Sequence, residues 1–132
     1  MTLNAGTFAR REDAEVYYLA VIDKAAAEAR RIDPAQAEIY RQKLAQAQAG
    51  GGALINAEAA ALGVDAEAVR QAVLTNHQRW QQRITRIEIA RVKAKASIRN
   101  ANTPAEMQVV YQAFKELFQW QHPRTTIKPT NG

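Results

Sequence analysis

The stretch DAEAVRQAVLTNHQRWQQRITRIEIARVKAKASIRNA, residues 65–101, predicts one long helix that decides the fold. Within it, one row of side chains recurs at alternating steps of four and three residues, the spacing of a helix seam that faces partner helices. This seam consists of Val73, His77, Trp80, Ile84, Ile87, Arg91, Ala94 and Ile98. Six of its eight positions are apolar. No other segment carries so long a stripe, so we expect the other helices to pack against it.

The composition indicates a single helical domain. The chain has 132 residues, enough for one hydrophobic core, and only 7% of them are aromatic. Alternating runs of Val, Ile and Thr, which would predict strands, are missing. The chain has no cysteine, which excludes disulfides and Cys-based metal or thiol chemistry. There is also no run of about 18 apolar residues, as a membrane span requires, and the N-terminus lacks the pattern of a secretion signal.

Capping residues and glycines divide the rest of the first half into shorter helices. The predicted ranges are 11–31, 34–49 and 54–62. Asp33 and Pro34 suit the N-cap and the first position of the second helix. The run Gly50–Gly52 ends that helix in a turn or a hinge, and Gly63 closes the short third helix.

A last helix begins after the long one. Thr103 and Glu106 form a capping box, with Pro104 at the first helical position. An amphipathic stripe follows, formed by Met107, Val110, Tyr111, Phe114, Leu117 and Phe118. We therefore expect this helix to fold back antiparallel onto the long helix and to bury these large side chains.

These elements predict an all-α fold, an antiparallel bundle of four to five helices organised on the long helix of residues 65–101. The helical domain covers residues 11–121. Residues 1–10 form an N-terminal arm, and residues 122–132, which contain two prolines, form an extended C-terminal tail.

The residue types of a catalytic or metal site do not converge. The two histidines, His77 and His122, have no neighbouring ligands at metal-binding spacing. Glu88 is explained by an ion pair with Arg91 or Arg83 on the same helix better than by acid–base catalysis, which needs a pocket and a second group. The glycine run lacks the Lys-Ser/Thr of a phosphate-binding loop. We therefore expect no enzyme activity, no cofactor and no metal.

The charge is unevenly distributed. Residues 1–66 carry a balance of −2 and residues 67–132 a balance of +7, which sum to the formal net charge of +5. The basic residues of the long helix are Arg79, Arg83, Arg86, Arg91, Lys93, Lys95 and Arg99. They do not form one stripe, whereas a nucleic-acid surface needs a continuous patch. The Gly63 corner could be a helix-turn-helix, but only Arg70 near it suits base reading.

Arg91 lies on the seam, where an unpaired charge would be costly. It must therefore reach a carboxylate or the carbonyl groups of a neighbour, and it could set the register of a bundle between chains.

Three stretches in order, at 32–49, 54–74 and 86–108, resemble a small helical domain that recurs in the tail and tail-fibre regions of tailed bacteriophages. The resemblance covers about residues 14–118. The matching positions are Tyr40, Lys43, Glu58, Gly63, Trp80, Ile87, Glu88, Arg91 and the Thr-Pro-Ala-Glu start of the last helix. The chain departs from the usual pattern in its glycine triplet, where relatives have a longer loop, and in its Pro-containing tail.

The resemblance implies a non-enzymatic structural component of a phage virion, a tail, baseplate or fibre-associated adaptor that acts through protein–protein contacts. Its partners would be other virion proteins, in several copies, with no membrane and no nucleic acid. It would be assembled in the host bacterial cytoplasm and located in the virion. Two alternatives remain open: a tail or tail-fibre assembly chaperone, and a nucleic-acid-binding regulator that uses the basic long helix. The candidate residues for the partner interface are Leu3, Phe8, His77, Trp80, Arg91, Trp120 and Ile127.

Overall fold

The computed structural model describes residues 8–119, and all of its regular structure is helical. The five helices are α1 (Arg11–Ala29), α2 (Pro34–Gln48), α3 (Ala53–Leu62), α4 (Ala66–Asn100) and α5 (Pro104–Gln119). The all-α prediction is confirmed, and so is the long helix, which continues without a break for 35 residues. The predicted helix ends agree with the observed ones to within two residues.

The helices form two compact units, which are described separately. Unit 1 contains residues 8–30 and 87–119 of the described chain, and unit 2 contains residues 31–86. The division falls within α4, between Arg86 and Ile87. The sequence predicted one domain over residues 11–121 and did not anticipate this division.

Unit 1 consists of α1, the C-terminal part of α4, and α5. Its core is a hydrophobic cluster to which each of the three helices contributes, and the largest fully buried side chains in it are Tyr18, Ile22, Ile87, Ile98 and Met107. The start of α1 contacts the end of α4, whereas residue 23 of α1 contacts residues 91 and 95. Helices α1 and α4 are therefore antiparallel. Because α5 folds back after residue 100, α1 and α5 run side by side in the same direction.

Arg11 of α1 caps the C-terminus of α4. Its Nε donates to the carbonyl oxygen of Ala101 at 2.8 Å, and its Nη2 donates to that of Arg99 at 2.9 Å. The Nη1 atom donates to Glu15 at 2.6 Å, which holds the guanidinium in place. The last carbonyl groups of a helix have no partner within the helix, and a cation favours the negative end of the helix dipole.

Unit 2 consists of α2, α3 and the N-terminal part of α4. Its cluster of buried residues is small, with Ala47, Ile55, Ala59, Val69 and Val73. The capping groups come from neighbouring helices: Gln46 Oε1 accepts from the backbone N–H groups of residues 54 and 55, and Arg70 Nη1 donates to the carbonyl oxygen of residue 47. Alanines at the contacts let the helix backbones approach closely, so these polar side chains reach the helix ends.

The predicted caps are confirmed. Asp33 Oδ2 accepts from the N–H groups of residues 35 and 36, at 3.1 and 3.2 Å. Gly63 has a φ of 70°, and the bond from the N–H of residue 64 to the carbonyl of residue 59 completes a Schellman motif. Thr103 Oγ1 accepts from the N–H of Glu106, and the Glu106 carboxylate accepts from the N–H of Asn102 rather than from Thr103.

The seam of α4 faces the two clusters as predicted. All eight of its members are buried or half-buried. Val73 belongs to the cluster of unit 2, whereas Ile87, Ala94 and Ile98 belong to that of unit 1. The α4 helix therefore supplies one wall of each core.

Replacing Arg11 with alanine tests the capping of α4. We expect Arg11→Ala to lower the free energy of unfolding by about 1–2 kcal/mol, because helix-terminal carbonyl groups lose a charged donor. The measurement is chemical denaturation followed by circular dichroism. Arg10→Ala is the matched control, since Arg10 is exposed and its ion pair within residues 8–119 is a long one with Asp13, at 3.4 Å; its effect should stay below about 0.5 kcal/mol. Equal effects of the two substitutions would contradict the capping role.

Candidate docking site

An open groove of about 570 Å³ lies between α1 and α5 in unit 1. From α1 it is lined by Tyr17, Val21, Lys24, Ala25, Glu28 and Ala29, and from α5 by Tyr111, Lys115 and Phe118. The α1 residues span 12 positions, which corresponds to about 18 Å along a helix. Most of this lining is apolar or aromatic, which is typical of sites that bind a ligand or a partner segment.

The groove exists because α1 has two apolar rows. The first row faces the core and is buried: Ala14, Tyr18, Ile22, Ala26 and Ala29. In the second row, Tyr17, Val21 and Ala25 each precede a member of the first by one residue, and all three are half-buried. One residue is a rotation of about 100° around a helix. The helices of unit 1 therefore cover one side of α1 and leave the adjacent apolar side open.

Aromatic side chains pack around Tyr17, which lines the end of the groove near the start of α1. The ring centroids of Phe8 and Tyr17 are 5.4 Å apart, and those of Tyr17 and Tyr18 are 5.0 Å apart with an edge-to-face geometry. The Tyr18 hydroxyl donates to Gln108 Oε1 of α5 at 2.5 Å, and burial raises the pKa of Tyr18. These contacts fix α1 against α5 where the groove begins.

Charged groups stand at the rim of the groove. Lys24 of α1 is exposed, and the Lys115 ammonium of α5 lies 4.7 Å from the centre of the Tyr111 ring. This contact is a cation–π interaction. Glu28 also lines the groove. The groove thus combines an apolar floor with one lysine from each wall.

Arg91 reaches carboxylates of its own chain, as its position on the seam requires. Its Nη1 donates to Asp23 Oδ1 of α1 at 2.8 Å, while Nε and Nη2 donate to Glu88 at 3.0 and 2.8 Å. Lys95 donates to the other oxygen of Asp23 at 2.8 Å. The hydrogen bonds from Lys95 and then Arg91 lower the pKa of Asp23, and the hydrogen bond from Arg91 lowers the pKa of Glu88. The network joins α1 to α4, so the guanidinium of Arg91 is engaged within the chain.

His77 is half-buried and interacts with Tyr40 of α2. The Tyr40 hydroxyl and His77 Nδ1 are 2.5 Å apart, and burial raises the pKa of Tyr40. This contact links α2 to α4 in unit 2. Among residues 8–119, no group of three or more His, Cys, Asp or Glu side chains is placed to hold a metal ion. The predicted absence of enzyme activity stays a prediction.

The remaining candidate residues fall into two groups. Phe8 packs against the two tyrosines of its own α1, and Trp80 is half-buried in unit 2. Leu3, Trp120 and Ile127 lie outside the described residues, as do His122 and the predicted tail. Of the four candidates within residues 8–119, Phe8 is the one that lies next to the groove, through its contact with Tyr17. The other groove residues were not predicted from the sequence. The signal that could have identified them is the repeat Tyr17, Val21, Ala25, in which each residue lies one position before a member of the buried row.

Arg70, the one candidate for contacting DNA bases in the helix-turn-helix interpretation, is engaged within the chain. Arg70 Nε and Nη2 both donate to Glu67 at 2.9 Å, and Nη1 donates to a carbonyl of α2 at 3.0 Å. The hydrogen bond from Arg70 lowers the pKa of Glu67 to about 2. Because all three nitrogen atoms of Arg70 have partners within the chain, contact with a base edge would require breaking them.

Comparison of the chain with protein-family models, with curated proteins and with solved structures gave no match. Within residues 8–119, no helix has the length and apolar content to cross a membrane.

The Asp23 network predicts a pH dependence of stability. Because the pKa of Asp23 is lowered in the folded chain, its contribution is complete above about pH 4, its unfolded pKa, and is lost as the pH falls through the lower folded pKa. We expect Asp23→Asn to reduce the loss of stability on acidification below about pH 4, measured by denaturation at pH 7, 4 and 2.5. In Asp13→Asn, whose contact is with exposed Arg10, the acid-induced loss should resemble that of the wild type. An unchanged pH profile in Asp23→Asn would contradict the role of the network.

Proposed function

We propose that this chain is a non-enzymatic structural component of a tailed-phage particle, a tail, baseplate or fibre-associated adaptor that acts through protein–protein contacts. Two independent observations support the proposal. The resemblance of three ordered stretches to phage tail-region domains favours a location in the phage particle. The α1–α5 groove favours the mode of action, since an open apolar channel between two helices is suited to a partner's side chains.

The adaptor role is inferred from the groove between α1 and α5. Burying apolar surface contributes about 25 cal/mol per Å², so covering the exposed parts of the half-buried Tyr17, Val21 and Ala25 would stabilise a complex. Exposed apolar side chains occur elsewhere in unit 1 as well, with Val16 at 70% and Val109 at 68% exposure. Single exposed residues are normal, but a groove that aligns several of them in one channel favours a docking surface.

The pairing of basic residues favours a protein partner over a nucleic acid. In the described chain, Arg11, Arg91 and Lys95 donate to carboxylates or carbonyl groups of their own chain. Nucleic-acid binding depends on cations that can reach successive phosphates along a continuous patch. The engaged residues interrupt the basic surface of α4, so electrostatic attraction would be local and weak.

The composition of purified particles tests the proposed function. Particles of a phage that encodes this chain are purified by density gradient and analysed by quantitative mass spectrometry. We expect the chain at a fixed ratio to the tail or baseplate proteins, because a structural component remains in the finished particle. A capsid protein measured in the same sample serves as the internal standard.

Presence in assembly intermediates but absence from finished particles would contradict the proposal and would favour an assembly chaperone. Absence from both, together with binding to DNA or RNA that persists from 50 to 300 mM salt, would favour a nucleic-acid-binding regulator.

A further inference from the structure

Helix α5 carries an exposed apolar row on the side away from the core. Val109 is 68% exposed and Leu117 is 50% exposed, and the exposed alanines Ala105 and Ala113 complete a row at steps of four residues. The buried residues of α5, such as Met107 and Phe114, lie on another side of the helix. We call the exposed row the α5 outer face. Within residues 8–30 and 87–119 of unit 1, no side chain covers Val109 or Leu117, which stay at least half exposed.

The α5 outer face has acidic residues where the groove has basic ones. Glu106 and Glu116 lie among its apolar residues, ten positions or about 15 Å apart along the helix. Lys24 and Lys115 lie on opposite walls of the groove, and with Glu28 they give its lining a net charge of +1. Glu106 also accepts a hydrogen bond from the N–H of Asn102, so Glu116 is the better candidate for an ion pair. The two surfaces are therefore complementary in both polarity and charge.

The lengths of the two surfaces also agree. The groove extends along α1 from Tyr17 to Ala29, about 18 Å, and the α5 outer face extends from Ala105 to Leu117, also 12 positions. A helix laid in a groove inserts side chains at steps of three and four residues. Val109, Ala113 and Leu117 could therefore occupy a channel floored by Val21 and Ala25.

We propose that the groove of one copy of this chain receives the α5 outer face of a second copy. This inference rests on the proposed function and names the partner that binds at the docking site, a second copy of the chain. The contact joins two different surfaces, so each copy keeps one free groove and one free outer face. Such a head-to-tail contact closes into a ring or continues as a filament. The chain would then bind to itself in series, as an adaptor present in several copies requires.

The size of the two surfaces sets the expected affinity. A single helix in a short groove buries an area at the low end of specific interfaces, so we expect a dissociation constant of roughly 10–100 μM. The full-length chain should therefore be monomeric at about 1 μM and should form a series of oligomers toward about 1 mM, measured by sedimentation velocity. A wild-type chain that stays monomeric up to about 1 mM would overturn the proposal.

Two variants test which surfaces make the contact. Val109→Glu/Leu117→Glu removes the outer face but keeps the groove, and Lys24→Glu/Lys115→Glu alters the groove but keeps the outer face. All four positions are exposed or half-buried, so circular dichroism should show folded chains. Each variant alone should be monomeric at concentrations where the wild type associates. An equimolar mixture should form a dimer and stop there, because only one intact contact remains.

Two control variants make the result specific. Val16→Glu changes a residue of α1 that is 70% exposed and lines neither surface, and it should associate as the wild type does. Glu116→Lys should at least partly restore association in the Lys24→Glu/Lys115→Glu background, since the charges of groove and outer face are then exchanged. A mixture of the two complementary variants that remains monomeric would overturn the proposal, and so would oligomers formed by either folded variant alone. Particle composition is measured independently, so either proposal can fail without the other.

Discussion

The structure depends on the way α1 divides its apolar surface. Tyr18, Ile22 and Ala26 are fully buried in the core of unit 1, while Tyr17, Val21 and Ala25 form a second row about 100° around the helix. Two neighbouring helices cannot cover an apolar surface this wide. The part left open becomes the wall of a groove whose other wall is α5. The docking site is thus a consequence of packing α4 and α5 against the first row of α1.

Polar side chains fix this arrangement at places where apolar packing alone would let helices slide. Arg11 binds the carbonyl groups at the end of α4, and Tyr18 donates to Gln108 of α5. Asp23 joins Arg91 and Lys95. Each contact is made between a side chain of α1 and another helix, so together they set the position of α1 along its neighbours. Groups that could have been taken for catalytic residues are engaged in holding the helices together.

Much of the fold could be predicted from the sequence because its signals are local. Asp33, Gly63 and Thr103 mark helix ends through hydrogen bonds to residues within five positions. The seam of α4 is a strict repeat, and its buried and half-buried positions follow from helix geometry. Arg91 was expected to find a carboxylate, because burying a lone charge is costly, although its partner on α1 was not identified.

The features that could not be predicted depend on contacts distant in sequence. Arg11 lies 90 residues before Ala101, whose carbonyl group it binds, and no local pattern pairs them. The second row of α1 is hard to recognise in the sequence because Lys24 and Glu28 lie beside it. With these charges, that side of the helix resembles an ordinary solvent-exposed one. Phe8, a candidate for the partner interface, packs against Tyr17 and Tyr18 of its own chain, and no local pattern predicts this contact. The division into two units was hidden because one uninterrupted helix belongs to both.

In the isolated chain, the second row of α1 is open to solvent and the first row is not. Methyl NMR with a soluble paramagnetic agent tests this directly, in a dilute sample of the full-length chain. The methyl groups of Val21 and Ala25 should relax faster than those of Ile22 and Ala26, with exposed Val16 fastest of all. Equal protection of Val21 and Ile22 would mean that the groove is closed and that α1 has no open apolar row.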